Sequence, residues 1–220
     1  MYCKIISVIL LLCPISVFAI NVGHVTTIID SDINDISKEI ENDSNQARLV
    51  NISVSRISTP EEGGGIISME VDGELLLSPS RLILPAKAKN NVRFFYKGPS
   101  DAKERYYRIT WRDTALSVDE RKDESRQAVA TTSAQIGTIL VVAPRHSNFD
   151  YSFDGRTLIN KGNASYRVVA YGVCQNNPNK QCKENYYDLP GKKRTFKRVN
   201  VSDDKSHIGL WQGSKFIVVK

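Results

Sequence analysis

Cysteine, histidine, methionine and tryptophan are all scarce in this chain: its 220 residues hold four, three, two and two of them. Cys3 and Cys13 sit in an N-terminal apolar stretch, so only Cys174 and Cys182 lie beyond it. His24, His146 and His207 are scattered. A structural or catalytic zinc site needs three or four such ligands together, and no spacing here offers them. The signatures of hydrolases and nucleotide-binding proteins are missing as well: no G-x-S-x-G, no H-E-x-x-H and no phosphate-binding loop. Gly63-Gly64-Gly65 precedes no helical pattern and reads as a turn, and Ser147 beside His146 is chance adjacency. These absences point away from an enzyme and from any metal or cofactor. Sustained helical periodicity is lacking too, and no apolar run reaches the ~20 residues that a membrane span needs.

The one sizeable apolar run is Ile5 to Val17, broken by Ser7, Pro14 and Ser16, preceded by Lys4 and followed by Phe18-Ala19. That order of features is a secretory leader, residues 1–19, with cleavage expected after Ala19. The mature chain is then exported and soluble, without stable membrane insertion. Cys174 and Cys182, bracketing QNNPNKQ, are expected to form a disulfide across a hairpin loop in an oxidising compartment. The net charge is +6, and Lys4 leaves with the leader. Its densest cluster is Lys192-Lys193-Arg194 with Lys197-Arg198. Such a run is normally a solvated face, so nucleic acid is not an expected partner. N-x-S sequons at Asn42, Asn51, Asn163 and Asn200 matter only in a eukaryotic secretory route.

The remaining pattern is all-β. Strands are expected near Val22–Asp30, Arg48–Ile57 (Ile52 and Val54 on one face), Ile66–Val71, Asn91–Tyr96 and Tyr106–Trp111. LLLSPSRLILP reads as two short strands about a Ser-Pro turn, and the charged stretch from Leu116 to Arg126 as a loop. Short strands separated by turn residues suggest an immunoglobulin-like sandwich. A break at Pro144-Arg145-His146-Ser147-Asn148 divides the chain into units 20–145 and 146–220. The second unit restarts with Phe149–Phe153, an Asp154-Gly155 turn, Leu158-Ile159 and Tyr166–Cys174, followed by strands near Lys193–Val199 and Phe216–Val219.

The stretch from Ala128 to Pro144 is the most informative. It carries no charge and is rich in β-branched residues, so it reads as a long strand. From Ile136 to Val142 it is apolar on both faces. Two readings stand at this point: a central strand buried on both sides, or a strand that packs one face inward and offers itself to a partner by β-augmentation.

Several segments together decide between them. LLLSPSRLILPAKAKNNVRFFYKGP, ERYYRITWRD, IGTILVVAPR, CKENYY and GLWQG resemble those of the periplasmic pilus chaperones of the PapD-like superfamily, and in particular the chaperones of the common pilus, or Mat fimbria, of enterobacteria. The resemblance covers nearly the whole mature chain. It implies two immunoglobulin-like β-sandwich domains in tandem, set like a boomerang, in the periplasm. Its partners would be pilus subunits and the outer-membrane usher, and its activity the lending of a strand to an incomplete subunit. The lending row would be Ala128, Ala130, Thr132, Ala134 and Ile136, outside the chain's own core and smaller than the family's usual residues. The basic pair that commonly holds a subunit's C-terminal carboxylate falls on Thr26 or Thr27 and on Ile139, none of them basic. Arg108, Arg112 and Arg145 are the candidate replacements, Arg108 first. Glu104 matches an acidic residue that bridges the domains. A pilus subunit or adhesin, and a secreted β-sandwich hydrolase, are the competing readings.

Overall fold

The computed structural model describes residues 19–116 and 132–220. Every regular element among them is a strand. The first unit contains β1 (Thr26–Ile29), β2 (Asp35–Glu41), β3 (Arg48–Ile57), β4 (Leu75–Ser78), β5 (Arg81–Leu84), β6 (Lys89–Tyr96), β7 (Arg105–Ala115) and β8 (Ser133–Val142). One sheet runs β1-β8-β7-β3-β5 and the facing sheet β2-β6-β4. Alternation explains the layering. On β7 the odd residues Tyr107, Ile109 and Trp111 are buried, and Val50, Ile52, Phe94, Leu140 and Val142 meet them across one core. The Trp111 ring packs edge-on against Phe94 at 6.3 Å, and its indole N–H donates to Thr138 Oγ1 at 2.9 Å.

The second unit contains β9 (Tyr151–Phe153), β10 (Thr157–Asn160), β11 (Tyr166–Cys174), β12 (Asn177–Asp188), β13 (Lys193–Thr195), β14 (His207–Gln212) and β15 (Lys215–Val218). Its sheets are β13-β10-β9 and β12-β11-β14-β15. They enclose a separate core of Leu158, Tyr166, Val168, Phe196, Ile208 and Leu210 among others. Cys174 and Cys182 are bonded across the β11–β12 hairpin.

One local expectation is corrected, and one strand had no counterpart in the sequence reading. Ile66–Val71 is not a strand: Ile66 makes a single bridge to Ile57, its side chain is exposed, and the buried Glu74 carboxylate takes the Glu70 N–H at 2.6 Å. β2 was hidden because Lys38 interrupts its inward row of Ile36 and Ile40. Lys38 is nevertheless buried, donating to His24 O at 2.6 Å and Thr27 Oγ1 at 3.2 Å. Among the described residues the long strand runs Ser133–Val142, and the expected start at 128–131 lies outside them. The basic cluster is a solvated face, as expected: Lys192, Lys193, Lys197 and Arg198 are exposed, with Lys192 paired to Glu61 at 2.7 Å and Arg194 stacked on Tyr186 at 4.3 Å.

Asp188, at the end of β12, is fully buried. Neither carboxyl oxygen has a hydrogen-bond partner, and Arg194 Nε stands 3.6 Å away. Burial pushes its pKa up to about 6, so the folded chain holds a proton that the unfolded chain releases. The contribution of Asp188 to stability should therefore fall as pH rises from 3.8 to about 6 and level off above. Denaturant titrations across that range should show the slope in the native protein and a flatter profile in Asp188→Asn.

The disulfide closes a loop with a sequence separation of 8. Breaking it should lower stability by about 2–3 kcal/mol in the chain-entropy model. Unfolding of the Cys174→Ser/Cys182→Ser protein measures this. Thiol alkylation of the native exported protein should label nothing until it is reduced.

Candidate functional site

β8 is partnered unequally along its two edges. β7 pairs with it over its whole length, Ser133 to Val142. β1 pairs with it in parallel over Ile139–Val142 only. In an antiparallel ladder alternate residues turn their N–H and C=O to opposite sides. The Ala115 N–H bonds Thr132 O at 3.0 Å, so the even residues of β8 face β7 and the odd ones face away. Beside β1 the outward N–H groups are satisfied, the ladder being flanked by Ile139 donating to Val25 O at 2.8 Å and Ala143 to Ile29 O at 2.9 Å. Ser133, Gln135 and Gly137 have no β1 residue beside them. This leaves a segment of sheet edge unpaired among the described residues, the arrangement that invites another chain.

The side chains divide between the two faces. Ile139 and Val141 point to the outer face with Thr26 and Ile28. Thr138, Leu140 and Val142 point inward and are buried. That is why this stretch is apolar on both sides: one face packs the core and the other lines the junction with the second sandwich. Within the described part of the predicted row, Ile136 shares the inward face, which corrects for that residue the expectation that the row lies clear of the protein's own core. Ile136 packs against that core, Ala134 is half-buried and Thr132 is exposed. Ala128 and Ala130 lie outside the described residues.

The three arginines have different surroundings. Arg108 and Arg112 share the outer face of β7, across from Ile139 and Gln135 of β8. Arg112 donates to Gln135 Oε1 at 3.2 Å, and Arg108 makes no ion pair among the described residues. Arg145 is instead built into the linker. It donates to Asp30 O at 2.7 Å and Ile33 O at 2.6 Å, and it lies 4.9 Å from the centre of the Tyr96 ring. Burial lowers its pKa.

Glu104 joins the two sandwiches. Its carboxylate accepts from Ser165 N–H at 2.6 Å and Ser165 Oγ at 2.5 Å. Burial raises its pKa against the pull of those bonds. Just beyond it, Arg105 binds Asp101 at 2.7 Å and Glu70 at 2.6 Å, so the start of β7 is held by a charge network. Asn163 adds a link missing from the sequence reading: its amide donates to Ala102 O at 2.9 Å and His146 O at 2.8 Å. Between the sandwiches a cavity of about 310 Å³ is lined by Ile28, Ile139, Val141, Tyr187 and Leu189 among others. Thr26 and Ile139 give this cleft no cation.

Asp113 and Arg48 were also missed. They form a buried ion pair at 2.7 Å, at the end of β7 next to the free edge. The signal was present in the sequence: Asp113 continues the alternation of Tyr107, Ile109 and Trp111 and so puts a charge in a core row.

Comparison with known proteins agrees with this architecture. Residues 149–219 match the family model described as the EcpB C-terminal domain. The chain is 52% identical over 203 residues to the probable fimbrial chaperone EcpB of Escherichia coli O157:H7, and equally to that of strain K12, covering 92% of this chain and 91% of each relative. The class 5 fimbriae chaperone CfaA has the same fold, with a TM-score of 0.55 at 17% identity over 91% of this chain and 97% of CfaA. A chain of the Salmonella enterica SafA pilin–SafB chaperone complex superposes with a TM-score of 0.50 at 15% identity, covering 90% and 91%. The pilin, adhesin and hydrolase readings are thereby set aside: the chain belongs to the EcpB family of fimbrial chaperones and is not an enzyme.

Proposed function

We propose that this chaperone works in the periplasm, after removal of a leader cut behind Ala19, and that it lends β8 to an incomplete pilus subunit. The open edge at Ser133, Gln135 and Gly137 carries the proposal. A subunit strand laid there would pair with those N–H and C=O groups, extending the ladder that β7 begins. Thr132, Ala134 and Ile136, with Ala128 and Ala130 before them, would enter the subunit's apolar groove from the same face that packs the chaperone's core. These side chains are small, so main-chain bonds would provide a large part of the hold. The SafA–SafB complex pairs a chaperone with a pilin, which supports the same class of partner here. The usher would be the next partner, receiving the loaded complex. Nucleotide, metal and other cofactors have no part in this scheme.

Arg108 and Arg112 remain the cations suited to holding the subunit's terminal carboxylate. They flank the outer side of the lending edge, and a charge-assisted bond to either would add to the strand pairing. Arg145 is unsuited, because its guanidinium already bonds Asp30 and Ile33.

The row's graded burial gives a graded test. Thr132→Asp should leave the chaperone folded and soluble, yet abolish protection of a co-expressed subunit from degradation, because a carboxylate would enter an apolar groove. Ile136→Asp should instead destabilise the chaperone itself by several kcal/mol, since that side chain also packs its own core. Circular dichroism with a subunit pull-down separates the two. Normal subunit binding by Thr132→Asp would place the interface elsewhere.

A further inference from the structure

The chain is anchored from Ile20 onward. Ile20 is 3% exposed and belongs to the first core with Val22. Asn21 exchanges two backbone bonds of 2.8 Å with Glu41. Ile20 is also the residue that cleavage after Ala19 would make the first. Its nitrogen donates to Asp113 Oδ2 at 3.1 Å. Asp113 is 1% exposed. Arg48 Nε stands 2.7 Å from that same oxygen, and the other oxygen, Oδ1, accepts the Ala134 N–H at 3.1 Å. One buried carboxylate thus joins β3, β7, the beginning of β8 and the amino-terminal segment.

We propose that Asp113 is a receptor for the α-ammonium group created by leader cleavage, and that this ion pair ties the new terminus to the start of the lending strand. In the precursor the Ile20 nitrogen is a neutral amide with one hydrogen. Hydrolysis of the Ala19–Ile20 peptide bond gives it a positive charge and further hydrogens, while Ala19 leaves with its new carboxylate. The amide bond to this carboxylate is already charge-assisted; the ammonium adds the attraction of opposite charges, which the low dielectric of the site strengthens. Ala19 is only half-buried, so the ammonium's other hydrogens emerge where water can reach them. The second cation on Asp113 is therefore not sealed in the core. A carboxylate held firmly by Ile20 and Arg48 in turn holds the Ala134 N–H, within the edge segment that a subunit would meet. Processing would then complete the sandwich at the end where the strand is lent. The inference rests on cleavage after Ala19, and on strand lending only for its functional meaning.

The test begins with export from the chain's own leader, followed by intact mass and N-terminal sequencing. A first residue other than Ile20 overturns the proposal at its premise and leaves strand lending untouched. The second protein carries a glycine inserted between Ala19 and Ile20, so that its processed form begins one residue early. Extension should raise the unfolding equilibrium constant by about tenfold or more and speed hydrogen exchange at the Ala134 amide. Asp113→Asn, made in both backgrounds, should erase the difference between the two termini. An extension that changes neither stability nor Ala134 exchange overturns the proposal. So does a penalty that survives in Asp113→Asn, because the loss then lies in the packing of Ile20. Should Asp113→Asn fail to fold, α-acetylation of the native terminus removes the charge and leaves Ile20 in place. The same loss is expected from it, and no loss overturns the proposal.

Discussion

Backbone hydrogen-bond satisfaction along β8 is the constraint on which the rest of this structure depends. Buried N–H and C=O groups in a folded chain must be paired. β7 meets that demand on one side for all of β8, and β1 meets it on the other for four register positions, Ile139 to Val142. Ahead of the start of β1, from Ser133 to Thr138, the strand remains half-partnered. The neighbouring features serve this division. Lys38 crosses from the facing sheet to hold the start of β1, so the parallel pairing has a defined beginning. Trp111 locks Thr138 by its indole N–H, at the point where the strand passes from its fully paired half to its open half.

The two cores and the junction between them are built from different interactions. Each sandwich is closed by apolar rows whose burial supplies roughly 25 cal/mol per Å². The junction relies on hydrogen bonds from Ser165 to Glu104 and from Asn163 to Ala102 and His146, with the Lys192–Glu61 pair at the surface. An exposed pair such as the last contributes little by itself. Glu104 differs because its half-buried carboxylate takes two donors from Ser165 across the junction. The cleft beside these contacts is apolar, which suits a partner's side chains better than a bare charge.

Much of this was legible in the sequence, and the limits have physical causes. The uncharged stretch before Pro144, the paired cysteines and the alternation in Arg48–Ile57 and Tyr106–Trp111 each map onto observed elements, because one face of each is apolar. β12 and β14 escaped notice. β12 is a polar hairpin arm whose outer face meets water, and β14 is short, with Gly209 interrupting it. The orientation of β8 escaped as well. Which face of β8 is inward follows from its register with β7, and the extent of the open edge follows from where β1 starts. Both are tertiary facts with no local signature. Asp113 was readable as a charge in a core row, but its three partners come from distant parts of the chain.

The linker residue Arg145 carries one further consequence. Its guanidinium is fastened to two carbonyls of the first sandwich and rests on Tyr96, while the next residue, His146, donates to Asp101 O at 3.1 Å and accepts from Asn163 of the second. A connector fastened at successive residues has little freedom to swing. These bonds tie the linker to both sandwiches and so restrain the angle between them. Association then loses less conformational entropy than closure of a loose hinge would require, and the cleft meets its partner as a preformed corner.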